Sequence, residues 1–191
     1  MIKRIIAGLA LGVGMAGAAQ GQEIELTLND DMAELLLANA FSQGQNRSIR
    51  YGGSFLFNED SDRVGSLFLT INNRMAGSWQ PVTIGIGPRA YLADLDRPDE
   101  TLGALAVGGL VGYGIATRIP LELVLQGYLS PSITTGGDGE RLTDVHARIE
   151  AEVLSGAHAY VGYRYLKVKL EDARRDERVD DAFHVGMRLR F

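Results

Sequence analysis

AFHVGMRLRF, residues 182–191, is a stretch with two faces of opposite character. Every second position is large and apolar, whereas His184, Arg188 and Arg190 lie between those positions. Because successive side chains of a β-strand point to opposite faces, this spacing predicts a strand with one uncharged face and one basic face. The apolar set is Phe183, Val185, Met187, Leu189 and Phe191.

The same period of two recurs through the chain. In 143–154, Val145 and Ile149 share one face and Asp144 and Glu150 the other. A helix with about 3.6 residues per turn would spread both sets around its surface, so the pattern indicates a strand. We predict eight strands after residue 45, at 48–58, 64–74, 81–92, 101–113, 121–129, 143–154, 159–166 and 183–191. Pro88 removes a ladder donor from the third, so we expect a bulge or a strand end nearby.

The segment 23–45 decides whether the total is eight or ten. Ile24, Leu26 and Leu28 predict a short strand, and the turn at 29–31 leads to AELLLANAF. That stretch either returns as a second strand, which makes ten, or forms a short helix beside an eight-stranded barrel. We favour ten, because the turn chemistry is good and membrane barrels have even strand numbers.

The N-terminus predicts a cleavable export signal. Lys3 and Arg4 precede an apolar run over 5–16, and small residues follow, with cleavage expected after Ala18. The predicted organisation is therefore a signal peptide at 1–18 and a single domain over 23–191. Strand connections are expected to alternate between short periplasmic turns at 76–80, 114–118 and 155–157 and longer outer loops at 59–62, 94–100, 130–141 and 171–181.

The composition excludes several classes of protein. The chain has no cysteine, so it has no disulfide, thiolate metal site or cysteine nucleophile. Its formal net charge of -5 and lack of a basic run argue against nucleic-acid binding. The 46% hydrophobic content, 23% charged content and 24 glycines indicate a folded, glycine-rich domain.

Alternating strands suit both a soluble sandwich and a membrane barrel, and three features favour the barrel. They are the export signal, the near absence of charge from the apolar faces, and the final phenylalanine. We predict an all-β, closed, antiparallel, up-and-down transmembrane β-barrel of eight to ten strands. An apolar face that ends on an aromatic residue is typical of C-terminal strands of outer-membrane barrels. We therefore expect Phe183, Val185, Met187, Leu189 and Phe191 to be the insertion signal.

Several strand and turn segments resemble the YfaZ family of small outer-membrane proteins. They are EIELTLNDD at 23–31, RYGGSFLFNEDSD at 50–62, GDGER at 137–141, AYVGYRYLKVKLED at 159–172 and HVGMRLRF at 184–191. The resemblance covers nearly the whole chain after the signal. It implies a barrel fold and an outer-membrane location, and it carries over no functional residue.

The inner faces of the last strands carry the candidate site, a charge cluster inside the barrel. Antiparallel neighbours bring such residues within reach of each other. The predicted cluster is Asp144, His146, Arg148, Glu150, Glu152, Arg164, His184, Arg188 and Arg190. We interpret it as ion pairs that fill the lumen of a structural or interaction barrel. Ten strands also leave room for the alternative of a narrow channel for small solutes.

We predict no enzyme, metal site or cofactor. A histidine base with a serine would suit a lipid hydrolase or protease, but Ser132 and Ser155 have no surrounding motif. The three histidines lack ligand spacing, and the acidic loops 94–100 and 171–181 lack that of a calcium loop. Expected partners are outer-membrane lipid, lipopolysaccharide and the barrel-assembly machinery. The acidic loops could bridge to lipopolysaccharide through divalent ions, but we interpret them as solvated loops.

Overall fold

The computed structural model describes residues 21–43, 46–75, 81–96, 100–170 and 177–191. The predicted signal peptide at 1–18 lies outside the described residues. Every regular element in the described part is extended except for a 3-10 turn at Ser132–Thr134. None of the described segments forms a helix long and apolar enough to cross a membrane.

Ten long strands form a closed antiparallel barrel. Each pairs with its neighbours in the chain, and the pairing of the first strand with the last closes the cylinder, for example Ile24 with Leu189. The strands are β1 (Gln22–Leu28), β2 (Met32–Ser42), β3 (Arg47–Asn58), β4 (Arg63–Arg74), β5 (Val82–Leu95), β6 (Glu100–Ile115), β7 (Leu121–Ser130), β8 (Thr135–Gly137), β9 (Gly139–Leu154), β10 (Ala157–Leu170) and β11 (Glu177–Arg190). The short β8 is an additional strand in the described part of the chain and is not one of the ten long strands of the barrel.

The segment 23–45 supplies the two strands that were uncertain. β1 pairs with β2 from Gln22 and Asn39 to Leu28 and Ala33, and β2 pairs with β3 along its whole length. The ten-stranded prediction is confirmed. The alternative of a short helix is wrong, because AELLLANAF provides the ladder to which both β1 and β3 bond.

The strands extend further than predicted. β5 reaches Leu95, β9 begins at Gly139 and β11 begins at Glu177, so much of the predicted loops is strand. β8 pairs with β6 opposite Leu102–Ala104 and continues the path of β7 beyond a turn. These strand ends resemble loops in sequence because their outward side chains are polar.

Pro88 does not produce the expected bulge or strand end. β5 runs through it from Val82 to Leu95. The register of β4 against β5 is unchanged across it, with Phe68 opposite Arg89 and Ile71 opposite Ile86. Pro88 points outward, and the β4–β5 ladder is interrupted only beside it.

The start of β1 and the end of β11 lie together at one end of the barrel, which we call the terminal end; the opposite one is the far end. The Phe191 amide donates to the Gln22 carbonyl there, at 2.9 Å. Over most of the barrel height, large apolar side chains point outward, such as Leu67 at 69% exposed and Ile86 at 63%. This apolar belt suits contact with lipid, and a closed barrel leaves no strand edge unpaired in it.

Near the far end the apolar and the charged side chains exchange faces, although the strands continue in the same direction. On β10, Tyr163 points outward within the belt and Arg164 inward, whereas further along Lys169 points outward and Val168 inward. The far-end interior is consequently an apolar plug contributed by every barrel strand except β1. Its buried members are Met32, Leu56, Val64, Tyr91, Ala93, Leu95, Leu102, Ala104, Ala106, Tyr128, Leu142, Leu166, Val168, Leu170 and Val179.

Candidate functional site

The charged side chains of the inner faces form three neighbouring groups of ion pairs at the level of the apolar belt, which we call together the charge network. Alternation on β1, β2, β3, β5, β9, β10 and β11 turns them away from lipid, and barrel closure brings β1 and β11 together. The charge network consists of Glu23, Glu25, Glu34, Arg50, Arg89, Asp144, Arg148, Glu150, Arg164, Arg188 and Arg190.

Asp144 is the centre of the part of the network next to the plug. Arg164 donates to both of its oxygens, Nε to Oδ1 at 3.1 Å and NH2 to Oδ2 at 3.0 Å. Arg164 also donates to Glu34 at 2.7 Å, and the Tyr91 hydroxyl donates to Asp144 at 2.8 Å. Tyr91 belongs to the apolar plug, so its hydroxyl joins plug and network.

Arg89 lies within ion-pair distance of the same acids but forms its hydrogen bonds elsewhere. It is 3.6 Å from Glu34 and 3.8 Å from Asp144. Its Nε donates to Ser66 and its NH2 to Ser54, each at 3.0 Å. Its guanidinium is therefore held by oxygens on both sides of the lumen.

The other two groups of pairs occupy the terminal half of the interior. Arg148 donates to Glu25 at 2.6 Å, and its Nε is 2.6 Å from Glu150, near enough for ion pairing but not aligned for a hydrogen bond. Arg188 donates to the other oxygen of Glu150. Glu23 accepts from Arg50 and, at 3.1 Å, from Arg190. The network thus joins β1 to β3, β9 and β11.

Two histidines lie between these groups. Nε2 of His146 is 2.7 Å from Nε2 of His184, so one ring donates and the other accepts. Ser132 is in the 3-10 turn and Ser155 in the turn between β9 and β10. The structure therefore does not bring either serine to the histidines. Among the described residues no group of three or more histidines and acids is arranged to hold a metal ion.

Little space is left around the network. A cavity of about 20 Å³ lies among Glu25, Thr70, Arg89, His146 and Arg148. Such a volume accommodates about one water molecule. The network can therefore hold an isolated water, and at this level the side chains fill the lumen.

The structure places eight of the nine predicted cluster residues together inside the barrel. Glu152 is on the same face, opposite His158 near the terminal end, and joins none of the ion pairs formed by described residues. The predicted insertion-signal residues all point outward, from 37% exposed for Leu189 to 81% for Phe183. Their role in insertion stays a prediction.

Five network residues were not included in the predicted cluster. Glu23 and Glu25 alternate with Ile24 and Leu26, and that alternation would have identified them once β1 was assigned as a strand. Glu34 is a single acid in an apolar segment. The remaining two, Arg50 and Arg89, were on predicted inner faces. They were not assigned to the cluster because the spacing of residues does not show which strands that are distant in sequence face each other inside the barrel.

The comparison with protein families identifies the family of this chain. A family model described as "YfaZ precursor" matches residues 1–191, the full sequence. The chain belongs to the YfaZ family. The word precursor agrees with the predicted cleavable signal. A comparison with curated proteins finds no match.

Two solved structures show limited similarity to this chain. One comes from work described as "Unveiling the Mechanism Behind the in-meso Crystallization of Membrane Proteins", with 9% identity, a TM-score of 0.39, and coverage of 90% of this chain and 82% of that chain. The other is the outer-membrane expressed OmpT of Vibrio cholerae, with 13% identity, a TM-score of 0.39, and coverage of 88% of this chain and 64% of that chain. The chain thus spans slightly less than two thirds of the second.

The YfaZ chain is a transmembrane β-barrel protein. Its closed ladder, outward apolar belt and inward charges are what a barrel in lipid requires.

Proposed function

We propose that this YfaZ protein is a sealed barrel that serves as a structural or interaction module of the outer membrane. It reaches the membrane by export through the periplasm and is inserted by the barrel-assembly machinery. The terminal end faces the periplasm, as in other outer-membrane barrels, and the far end faces outward. In this proposal its partners are membrane lipids and lipopolysaccharide, and it carries out no enzymatic reaction.

The apolar plug is the observation that carries this proposal. Leu102, Leu142 and Leu166 are at most 1% exposed and come from β6, β9 and β10, and they belong to one buried cluster with residues of β2 to β5, β7 and β11. Apolar side chains packed without gaps leave no path for water or ions. The charge network beneath them is also closely packed, with room for about one water molecule beside it.

The ten-strand count favours a second candidate, a narrow channel. An eight-stranded interior is just filled by side chains, whereas ten strands enclose a wider lumen. A channel would require the plug to move aside. Its charged wall at membrane level, with arginines on β3, β5, β9, β10 and β11, would then face the passing solute.

Liposome swelling distinguishes the two candidates. Purified protein is refolded into liposomes, and the liposomes are diluted into iso-osmotic solutions of small sugars and amino acids. We expect the same rate of swelling as for protein-free liposomes, with a general porin as the positive control. Swelling that rises with the amount of folded protein, measured by heat-modifiable migration on a gel, would establish the channel and end the sealed-barrel proposal.

A further inference from the structure

Four basic side chains form a ladder on the outer surface of β9, β10 and β11, just beyond the apolar belt. Lys169 lies directly opposite Arg141, and Lys167 lies directly opposite Arg178. All four point outward, and the side chains of Lys169 and Arg178 are 48% and 64% exposed. We call these four residues the basic ladder.

Like charges directly opposite each other on neighbouring strands are unfavourable. Elsewhere at the same height the barrel avoids this arrangement, since Arg63 on β4 lies opposite Asp94 on β5. Among the described residues, Glu140 lies 2.7 Å from Lys169 and Asp181 lies 2.8 Å from Arg178, and Lys167 also has an interaction partner. Exposed ion pairs of this kind contribute little, so they leave the ladder attractive to an anion.

An apolar groove begins directly below the ladder. β10 runs from Lys169 and Lys167 past outward Tyr165 to Tyr163, whose ring packs edge-on against Phe183 with centroids 5.2 Å apart. Tyr163 and Phe183 line a groove of about 1010 Å³. Further lining side chains that point outward include Leu123, Leu125, Ile149 and Val161, with Ala147 the smallest of them.

Cations beside an apolar groove suit an amphiphile with an anionic head and a hydrocarbon tail. A free anion would use the ladder but not the groove, and an uncharged lipid would use the groove but not the ladder. Tyrosine at the junction is also typical of the boundary between hydrocarbon and headgroups. If the far end faces outward, the lipid at this height belongs to the outer leaflet.

We propose that the basic ladder and the groove together bind one phosphorylated glycolipid of the outer leaflet, the chemical class of lipopolysaccharide. Its phosphates lie against the ladder, and one acyl chain lies in the groove beside Ala147. This binding is direct, in contrast to bridging by divalent ions through the acidic loops. It rests on the orientation given under the proposed function.

The test of the ladder compares the paired variant Arg141→Gln/Lys169→Gln with the single variant Arg63→Gln. Affinity for purified lipopolysaccharide and for its dephosphorylated form is measured on folded protein in detergent micelles. Unaltered protein should prefer the phosphorylated form. Since each cation near an anionic lipid surface contributes about a factor of five, the paired variant should lose roughly thirtyfold of that affinity. Arg63→Gln should stay within about twofold, because Arg63 lies on β4, away from the basic ladder and the groove.

Retention of the preference by the paired variant, or an equal loss in Arg63→Gln, would overturn the proposal. Inorganic phosphate is the second probe. Competition by phosphate at concentrations comparable to those of lipopolysaccharide would show an ion site and not a lipid site. The proposal would also be overturned if EDTA abolished lipopolysaccharide binding by the unaltered protein while the paired variant bound lipopolysaccharide normally in calcium. That result would show bridging by divalent ions.

The groove has its own variant, Ala147→Trp, which fills it with an indole ring. We expect weaker binding of lipopolysaccharide and unchanged weak binding of inorganic phosphate; unchanged lipopolysaccharide affinity would exclude an acyl chain there. None of these variants touches the plug. If the protein binds no lipopolysaccharide and causes no liposome swelling, only this inference is wrong. If the protein binds lipopolysaccharide and causes swelling, only the sealed-barrel proposal is wrong.

Discussion

Arg188 shows what a single interior side chain contributes to the barrel. It is on β11 with 5% of its side chain exposed, and it donates to Glu150, of which 1% is exposed. A buried ion pair is weak support for stability compared with an apolar filling, but removal of one partner leaves an uncompensated charge. Arg188 is therefore needed for stability because it compensates the buried charge of Glu150.

Arg188→Ala should lower the free energy of unfolding by about 3 kcal/mol, because Glu150 would keep only its poorly aligned contact with Arg148. Arg190→Ala is the matched control on the same strand. Arg190 is 48% exposed, so the loss of its pair with Glu23 should cost less than about 1 kcal/mol. Urea unfolding in lipid vesicles measures both. An unchanged urea midpoint for Arg188→Ala would contradict this description of the network.

Gly87 is required for a different reason, which is the close approach of two backbones. A Cβ built on Gly87 would lie 1.8 Å from the Leu69 carbonyl oxygen. The β4–β5 ladder is interrupted at this level, beside Pro88. At Gly65, on the neighbouring strand, the nearest atom to such a Cβ is 3.9 Å away.

Gly87→Ala should therefore destabilise the barrel by about 2 kcal/mol or more, since one strand must shift, whereas Gly65→Ala should be close to neutral. The fraction of folded protein after refolding, read from heat-modifiable migration, compares the two. Equal refolding yields and equal urea midpoints would show that the contact at Gly87 relaxes without cost.

At the scale of the element, β10 contains both environments of the barrel in one strand. Its segment AYVGYRYLKVKL keeps a strict period of two, but the apolar positions change face between Tyr165 and Leu166. Tyr163 and Tyr165 point toward lipid, and Val168, 0% exposed, points into the plug. This change of face defines where the strand leaves the membrane.

Single cysteines on β10 test that boundary, and the absence of natural cysteine makes the labelling unambiguous. Lys169→Cys should react rapidly with a membrane-impermeant maleimide, whereas the adjacent Val168→Cys should react only after urea unfolding. Val161 lies in the belt and is 57% exposed. We therefore expect Val161→Cys to be protected from the maleimide in a bilayer but to react in a detergent that has a small headgroup. Equal rates at 168 and 169 in the folded barrel would show that the plug admits water.

Alternation predicts elements and faces well because it depends only on the geometry of a strand. It placed Arg164, His184 and Arg188 on inner faces and indicated the strand at 24–28. The second strand of 23–45 was favoured by turn chemistry and the even strand count instead. It failed at 130–141 and 171–181, where outward polar residues on strand ends have the composition of loops. It also failed to join Glu25 to Arg148, because that contact depends on closure of β1 against β11, which no local pattern contains.

At the scale of the whole molecule, the barrel consists of two zones stacked along its axis. The zone within the apolar belt encloses the charge network, and the far-end zone encloses the apolar plug. Their junction is the hydrogen bond of Tyr91 to Asp144. The lumen of a ten-stranded barrel can thus be closed. The strands continue beyond the membrane, and there their inward side chains form an apolar core like that of a soluble protein.

Electrical recording from planar lipid bilayers tests this closure most directly. Unaltered protein is compared with the plug variant Leu95→Ala/Leu142→Ala/Leu166→Ala and with Leu92→Ala/Leu105→Ala/Leu129→Ala, which removes three outward leucines. We predict no discrete conductance steps for the unaltered protein or for the outward variant. The plug variant opens the far end to water, but the charge network still fills the lumen at the level of the membrane, so we predict no steps for it either. Discrete steps from the unaltered protein would contradict the account.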